Sequence, residues 1–275
     1  MNGERVRKVF IVSDHTGITA EMMARSLLSQ FPDYRFFETT LPFIDSPRKA
    51  ADAAARIRSA CADCTQPALV FSTLTDPHTR EALMASGGCV LDIYAHFLGQ
   101  IEQELGQTAT PRAGRAHGVA DPGHYHHRID AVNFALSHDD GLGMERYERA
   151  QIVLLGVSRS GKTPTSLYLA MNDGLLVANY PITPEDFERG RLPARVLAQR
   201  KKLRGLTLEP ERLALIREER RPGSRYAALD TCTREIMQAE QFMRANAITM
   251  FDTTSRSVEE IATLIKQTLP DWRSQ

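Results

Sequence analysis

Short apolar runs alternate with amphipathic stretches along most of this chain. Val9-Phe10-Ile11-Val12 reads as a strand, and Ser13-Asp14-His15-Thr16-Gly17 turns it into a helix from Ile18 to about Gln30. Arg35 to Leu41 predicts a second strand, and Pro47 to Ala60 a second helix with proline in its first turn. Ala68-Leu69-Val70-Phe71-Ser72 is a third strand, and Asp76-Pro77 starts a helix that stops near Gly87-Gly88. Val90 to Ile93 gives a fourth strand, followed by a helix through Leu105. Strands separated by helices argue for a parallel sheet covered on both faces.

From Gly106 to His126 the chain is rich in glycine and proline and has little apolar periodicity, which reads as a linker or a mobile active-site loop. A helix from Arg128 to Leu136 then leads to His138-Asp139-Asp140-Gly141. The α/β alternation resumes near Ala150, with strands at Gln151–Leu155, Leu175–Asn179 and Ile248–Phe251. A charged helix spans Glu209 to Arg221, and a closing helix Val258 to Leu269. The expected fold class is therefore α/β: an N-terminal parallel-sheet domain (1–105), a connecting segment with the HDDG sequence (106–149), and a second, kinase-like α/β domain (150–275). No internal repeat or low-complexity tract is visible in the sequence.

The strongest chemical signal lies in the second domain. Gly156-Val157-Ser158-Arg159-Ser160-Gly161-Lys162-Thr163 fits G-x-x-x-x-G-K-[ST], the phosphate-cradling P-loop. Glycines let successive backbone N–H groups turn inward toward phosphate oxygens. Lys162 adds a full positive charge, and the Thr163 hydroxyl suits a magnesium ion. The flanks agree, because an apolar strand precedes the loop and Thr165 to Met171 reads as a helix ending near Asn172-Asp173-Gly174. Pro164 fits the first helical turn, where its missing N–H has no intrahelical use.

Composition adds bounds. The chain has 275 residues, 42% apolar and 25% charged, in the range of soluble globular proteins. Lysine plus arginine equals aspartate plus glutamate at 34 each, so no overall field favours nucleic acid or an anionic membrane. No apolar run approaches the ~20 residues that span a bilayer, and Met1 to Lys8 carries charge rather than a signal-peptide core. The cytoplasm is the expected compartment. Four cysteines are too few for a disulfide scaffold, and Cys61-x-x-Cys64 reads as two thiols at a helix end.

Other clusters carry weaker chemistry. Ser13 to Gly17 joins a strand to a helix, where N–H groups are free to hold an anion; Asp14 or Thr16 serves equally well as a plain cap, and the sequence leaves both open. His124-Tyr125-His126-His127, with His117 and Asp121, matches no defined metal spacing and reads as a solvated loop. Asp139 and Asp140 precede the glycine loop, where paired carboxylates suit magnesium binding or removal of a proton from an attacking hydroxyl; the plainer reading is a turn ended by Gly141. Arg212, Arg217, Arg220, Arg221 and Arg225 are interleaved with Glu211, Glu218 and Glu219, the pattern of a solvated helix face. Guanidinium groups also serve phosphoryl transfer, and Arg217 and Arg221 are the candidates for facing the loop.

Taken together these segments resemble the regulatory proteins of phosphoenolpyruvate synthase (pyruvate, water dikinase), whose relatives regulate pyruvate, phosphate dikinase. The matching pieces are Ser13 to Glu21, Thr40-Leu41-Pro42-Phe43, His138-Asp139-Asp140-Gly141, Gly156 to Ala170, Ala178-Asn179-Tyr180-Pro181, Glu209 to Leu213, Arg217 to Arg221 and Ser257 to Ala262, spanning almost the whole chain. The resemblance implies a bifunctional serine/threonine-protein kinase and phosphorylase. One activity moves a phosphoryl group from ADP to a threonine of the synthase and silences it. The other removes that group with inorganic phosphate and releases pyrophosphate. ADP is thus the implied donor, Gly156 to Thr163 its implied seat, and the synthase the implied partner, with the chain acting alone or as a homodimer. Lys162, Asp139, Asp140, Arg217 and Arg221 are the candidate catalytic residues, and Thr163 with Asp140 the candidate magnesium ligands.

Three rivals are weighed against this. The same chemistry on pyruvate, phosphate dikinase shares every motif. A nucleotide switch of the GTPase kind is disfavoured, because Asp140-Gly141-Leu142-Gly143 spells D-x-x-G before the glycine loop rather than after it, and no N-K-x-D segment occurs. A P-loop kinase of small molecules would carry the same loop, carboxylates and arginines.

Overall fold

Buried aliphatic runs build two separate parallel sheets. The computed structural model describes residues 5–110 and 122–269, and the chain divides into two compact units, Met1–Ala120 and Asp121–Gln275. The first unit runs β1 (Arg5–Val12), α1 (Ile18–Leu28), β2 (Tyr34–Leu41), α2 (Pro47–Ala60), β3 (Leu69–Ser72), α3 (Pro77–Met84), β4 (Cys89–Asp92) and α4 (Ile93–Leu105). Its strand order is β2-β1-β3-β4, all parallel. Both α2 and α3 start with proline in the first turn, and the Asp76 carboxylate caps α3 at the Thr79 N–H.

In the second unit come α5 (Pro122–Ser137), a 3₁₀ turn at Met144–Arg149, β5 (Ile152–Gly156), α6 (Lys162–Asp173), β6 (Val177–Pro181), α7 (Pro184–Arg189), α8 (Ala194–Leu197), β7 (Leu203–Thr207), α9 (Pro210–Arg220), α10 (Leu229–Ala245), β8 (Thr249–Asp252) and α11 (Val258–Lys266). The order β6-β5-β7-β8 repeats that of the first sheet, so one winding occurs twice although the sequence shows no repeat. β5 lies in the middle of its sheet and is buried throughout. Its alternate residues feed two cores: Val153 and Leu155 pack with Tyr180, Leu213 and Met243, while Ile152 and Leu154 pack with Leu169, Phe251 and Ile261. Each fully buried aliphatic side chain contributes about 1.5–3 kcal/mol. The crossover from β5 runs outward to β6 and the next, from β6, runs back past β5 to β7, which opens a crevice at the carboxyl ends of β5 and β7, where ligands bind in open α/β sheets.

Three expectations change. The segment 106–149 is not a separate connection in its second part: α5 is already helical from Pro122, and Phe134 and Tyr147 enter the core of the second unit beside Val153. β7 and α10 are elements that the apolar pattern did not predict. Finally, neither Asp14 nor Thr16 caps α1, which is entered through Gly17; the Asp14 carboxylate instead accepts from the Thr75 N–H at 2.9 Å and hydroxyl at 2.6 Å, joining the loops that follow β1 and β3. Cys61 ends α2 as expected, and burial, with a hydrogen bond to Cys64, holds its thiol above the ordinary range. His117, Asp121 and the side chains of His124 and Tyr125 lie outside the described residues. Among the described residues no cluster of three or more His, Cys, Asp or Glu side chains is placed to hold a metal, and no helix is long and apolar enough to cross a membrane.

Candidate functional site

β5 delivers the chain into the crevice at Gly156. A Cβ there would sit 2.6 Å from the Leu206 carbonyl and 2.5 Å from the Ser160 hydroxyl, so only glycine lets the loop turn back against β7. Gly161 precedes α6 with φ +89, and Arg159, at φ 77, holds the left-handed conformation without that freedom. The helix starts at Lys162, three residues earlier than the apolar pattern suggests, and ends at Gly174 in the left-handed region. The first N–H groups of α6, at Lys162 and Thr163, have no intrahelical acceptor and face the crevice with the positive end of the helix dipole.

Lys162 is 4% exposed and its ammonium donates to the Val157 carbonyl at 2.9 Å, bending over the loop. Burial lowers its pKa to about 8, while Asp140 and Asp139 pull it back upward in part. Two consequences follow from the sign. The unfolded chain, with an ordinary lysine, binds more protons between about 8 and 10.5, so this group makes the fold more stable as pH rises through that window. An anion seated on the loop favours the protonated form, so ligand binding takes up a proton above pH ~8. Titrations of inorganic phosphate, a dianion that does not itself titrate there, at pH ~9 in two buffers of different ionisation enthalpy should show that uptake; equal heats in the two buffers would contradict it.

The two aspartates differ in setting. Asp139 Oδ1 accepts from the Thr163 hydroxyl at 2.8 Å and from the Asn179 amide. Asp140 follows in the left-handed region, φ 47, with an exposed side chain, and its N–H donates to Asn179 Oδ1 at 2.9 Å. The structure thus sets Asp139, rather than Asp140, against Thr163. Asn179, fully buried in the middle of β6, is the clamp: its side chain holds both aspartates and its backbone pairs with His138 and Gly141. The buried Tyr147 hydroxyl donates to the Asn179 carbonyl at 2.8 Å and closes the arrangement. Asn179 carried no functional assignment in the sequence, although a polar residue inside the apolar run Val177 to Tyr180 was the available signal.

Of the arginines, Arg217 is fully buried behind the loop. It donates to the Ser158 carbonyl at 3.1 Å, the Tyr226 carbonyl at 3.1 Å and Glu235 at 2.7 Å, with its guanidinium 4.1 Å over the Tyr226 ring. The Tyr226 hydroxyl in turn lies 2.8 Å from Ser158 Oγ. Arg217 therefore braces the loop from behind through its backbone. Arg221 is exposed just beyond the end of α9, where the backbone leaves helical geometry.

Oxygen donors of the kind magnesium prefers are present together in Asp139 and Thr163, the hydroxyl–carboxylate pair that serves the ion in P-loop enzymes. An anion cradle, a hydroxyl–carboxylate pair and an open carboxylate within one crevice are the parts phosphoryl transfer requires.

Comparison with known proteins agrees with this chemistry. The sequence profile of the kinase/pyrophosphorylase family matches residues 9–265. A protein of Azoarcus sp. (strain BH72), provisionally named a phosphoenolpyruvate synthase regulatory protein, is 51% identical over 265 residues, 96% of each chain. Proteins with the same provisional name from Bordetella avium (strain 197N) and Cupriavidus metallidurans (strain ATCC 43123 / DSM 2839 / NBRC 102507 / CH34) are each 48% identical, covering 95% of this chain and 95% and 97% of theirs. The chain belongs to the kinase/pyrophosphorylase family.

Proposed function

We propose that this protein regulates phosphoenolpyruvate synthase in the cytoplasm by two opposed reactions: ADP-dependent phosphorylation of a threonine on that enzyme, and phosphate-dependent, pyrophosphate-releasing removal of the group. The observation that carries the reading is the convergence of Lys162, Thr163, Asp139 and Asp140 at the mouth of one glycine loop. The names of the relatives support the partner.

In the forward reaction the threonine oxygen attacks the β-phosphorus of ADP, the bond to the α–β bridging oxygen breaks, and AMP leaves. Asp140, exposed at the crevice, takes the hydroxyl proton. Lys162 and the N–H groups that open α6 stabilise charge on the transferring group. Asp139 and Thr163 would hold magnesium, which when bound neutralises phosphate oxygens. In the opposed reaction an oxygen of inorganic phosphate attacks the phosphothreonine phosphorus, Asp140 returns a proton to the departing threonine oxygen, and pyrophosphate leaves. Both are in-line exchanges between a threonine oxygen and a phosphate oxygen, so one cradle serves both.

The reverse direction gives the test. Synthase carrying ³²P-phosphothreonine, incubated with this protein and unlabelled phosphate, should release its label as pyrophosphate. Label leaving as orthophosphate would mean plain hydrolysis and would overturn the phosphorylase half.

A further inference from the structure

Two open, apolar depressions meet on the surface of the second unit. One, of ≈ 380 Å³, lies between α9 and the start of α10; the other, of ≈ 620 Å³, runs along α10, and Leu229 lines both. On α9 the groove is lined at helical spacing by Glu211, Leu215 and Glu218, a single stripe turned away from the core. On α10 it follows Leu229 and Met237, eight positions apart on one face. Leu215 is 61% exposed, Leu229 48% and Met237 65%. A lone exposed leucine needs no explanation, but three large apolar side chains along one groove mark a contact surface.

We propose that this groove docks the protein acceptor: an amphipathic helix of the regulated enzyme, bearing lysine or arginine along its flank, lies between α9 and α10 while a separate segment carries the threonine into the crevice. The inference rests on the phosphotransferase reading above and adds how the partner is held. Shape favours a helix. The lining of α10 extends from Leu229 to Gln241, about 18 Å or three turns, and a furrow between two helices accepts the side-chain ridge of a third.

Charge selects the occupant. Glu211, Glu218 and Asp230 line the groove against one cation, Arg234, so its rim is acidic. A basic flank complements that rim, whereas a second copy of the chain seated groove to groove would set like charge against like. Glu218 keeps its place because its Oε1 accepts from the Gly223 N–H at 2.7 Å.

Position ties the groove to the chemistry. On their inner sides the same two helices meet through Arg217 and Glu235 at 2.7 Å, and Arg217 grips the Ser158 carbonyl of the glycine loop at 3.1 Å. The groove is therefore about one helix diameter, ~10–12 Å, from the loop, a span that three or four extended residues cover. Docking and phosphoryl transfer occupy opposite sides of α9, so the one can be damaged without the other.

Steady-state phosphorylation of purified phosphoenolpyruvate synthase by wild type, Met237→Glu and Glu211→Lys gives the test. Both positions are exposed, and circular dichroism should show native folds. Met237→Glu puts a charge into the apolar groove and should raise the KM for the synthase at least ~10-fold, with kcat within about twofold of wild type. Glu211→Lys reverses one rim charge and should raise that KM about threefold at low salt, a difference that salt screens away. Inorganic phosphate should bind all three proteins within about twofold, since it touches only the loop. Unchanged KM in both variants, or a fall in kcat alone, would overturn the docking groove while leaving the phosphotransferase reading intact. Light scattering that finds wild type dimeric and Met237→Glu monomeric would make a second copy the occupant and contradict the proposal. A wild-type protein that forms no phosphothreonine on the synthase would overturn both.

Discussion

Lys162→Ala should depress ADP-dependent phosphorylation and phosphate-dependent dephosphorylation together, each by about 10²–10³, or about 3–4 kcal/mol of lost transition-state stabilisation. As proposed, the two reactions share everything except the group carried on the far phosphate. In the proposed scheme a phosphoryl group passes in both between a threonine oxygen and a phosphate oxygen over the same α6 N-terminus, where Lys162 is a buried charge. Loss of fold does not explain such a result, because the ammonium is held against a desolvation penalty that lowers its pKa, and alanine removes that penalty. Circular dichroism should show native helix content, and thermal unfolding should stay close to wild type. Survival of phosphorolysis at near wild-type rate, with ADP-dependent transfer gone, would mean two separate sites.

Substitutions at the two aspartates should diverge. Asp140→Asn removes the proposed proton acceptor and should slow both reactions by about 10²–10⁴ with little change in magnesium requirement. Asp139→Asn keeps the hydrogen bonds' shape but loses the charge beside Thr163, so its main effect should be a raised magnesium concentration for half-maximal rate, with partial recovery at saturating metal. Rates measured across a magnesium titration distinguish the two. If both variants keep full activity at every concentration, His138 to Gly141 is only a turn; if Asp139→Asn is the one that no metal rescues, the assignments are reversed.

Local chemistry made the backbone geometry of the glycine loop readable in advance. A strand buried on both faces, a loop that needs glycine at Gly156 and Gly161, and a proline tolerated in the first turn of α6 are all written in adjacent residues. What depends on distant residues was not readable. β7 has an arginine and a glycine at its middle, which hide a strand pattern; only the fold shows Arg204 reaching Thr268 at the end of the chain, and Met243 filling the space where a side chain at Gly205 would stand. α10 buries Cys232, Ile236, Ala239 and Met243, a helical spacing diluted by small or weakly apolar residue types and a polar surround. Arg217 and Arg221 look equivalent at four-residue spacing, yet α9 stops at Arg220, so the first is enclosed behind the loop and the second turns away to the surface. Asn179 belongs to the same class, since its importance comes from meeting Asp139 and Asp140 some forty positions earlier in the chain, at separations of 40 and 39 residues.

The most direct measurement of the central claim follows the phosphorus itself. ADP labelled with ³²P at the β position, incubated with this protein, magnesium and purified phosphoenolpyruvate synthase, should place label on the synthase polypeptide as acid-stable phosphothreonine, with AMP formed in equal amount and the synthase inactivated in proportion. ATP labelled at the γ position should leave the polypeptide unlabelled. Label appearing on a small molecule rather than the polypeptide, or efficient transfer from the γ position of ATP, would contradict the account.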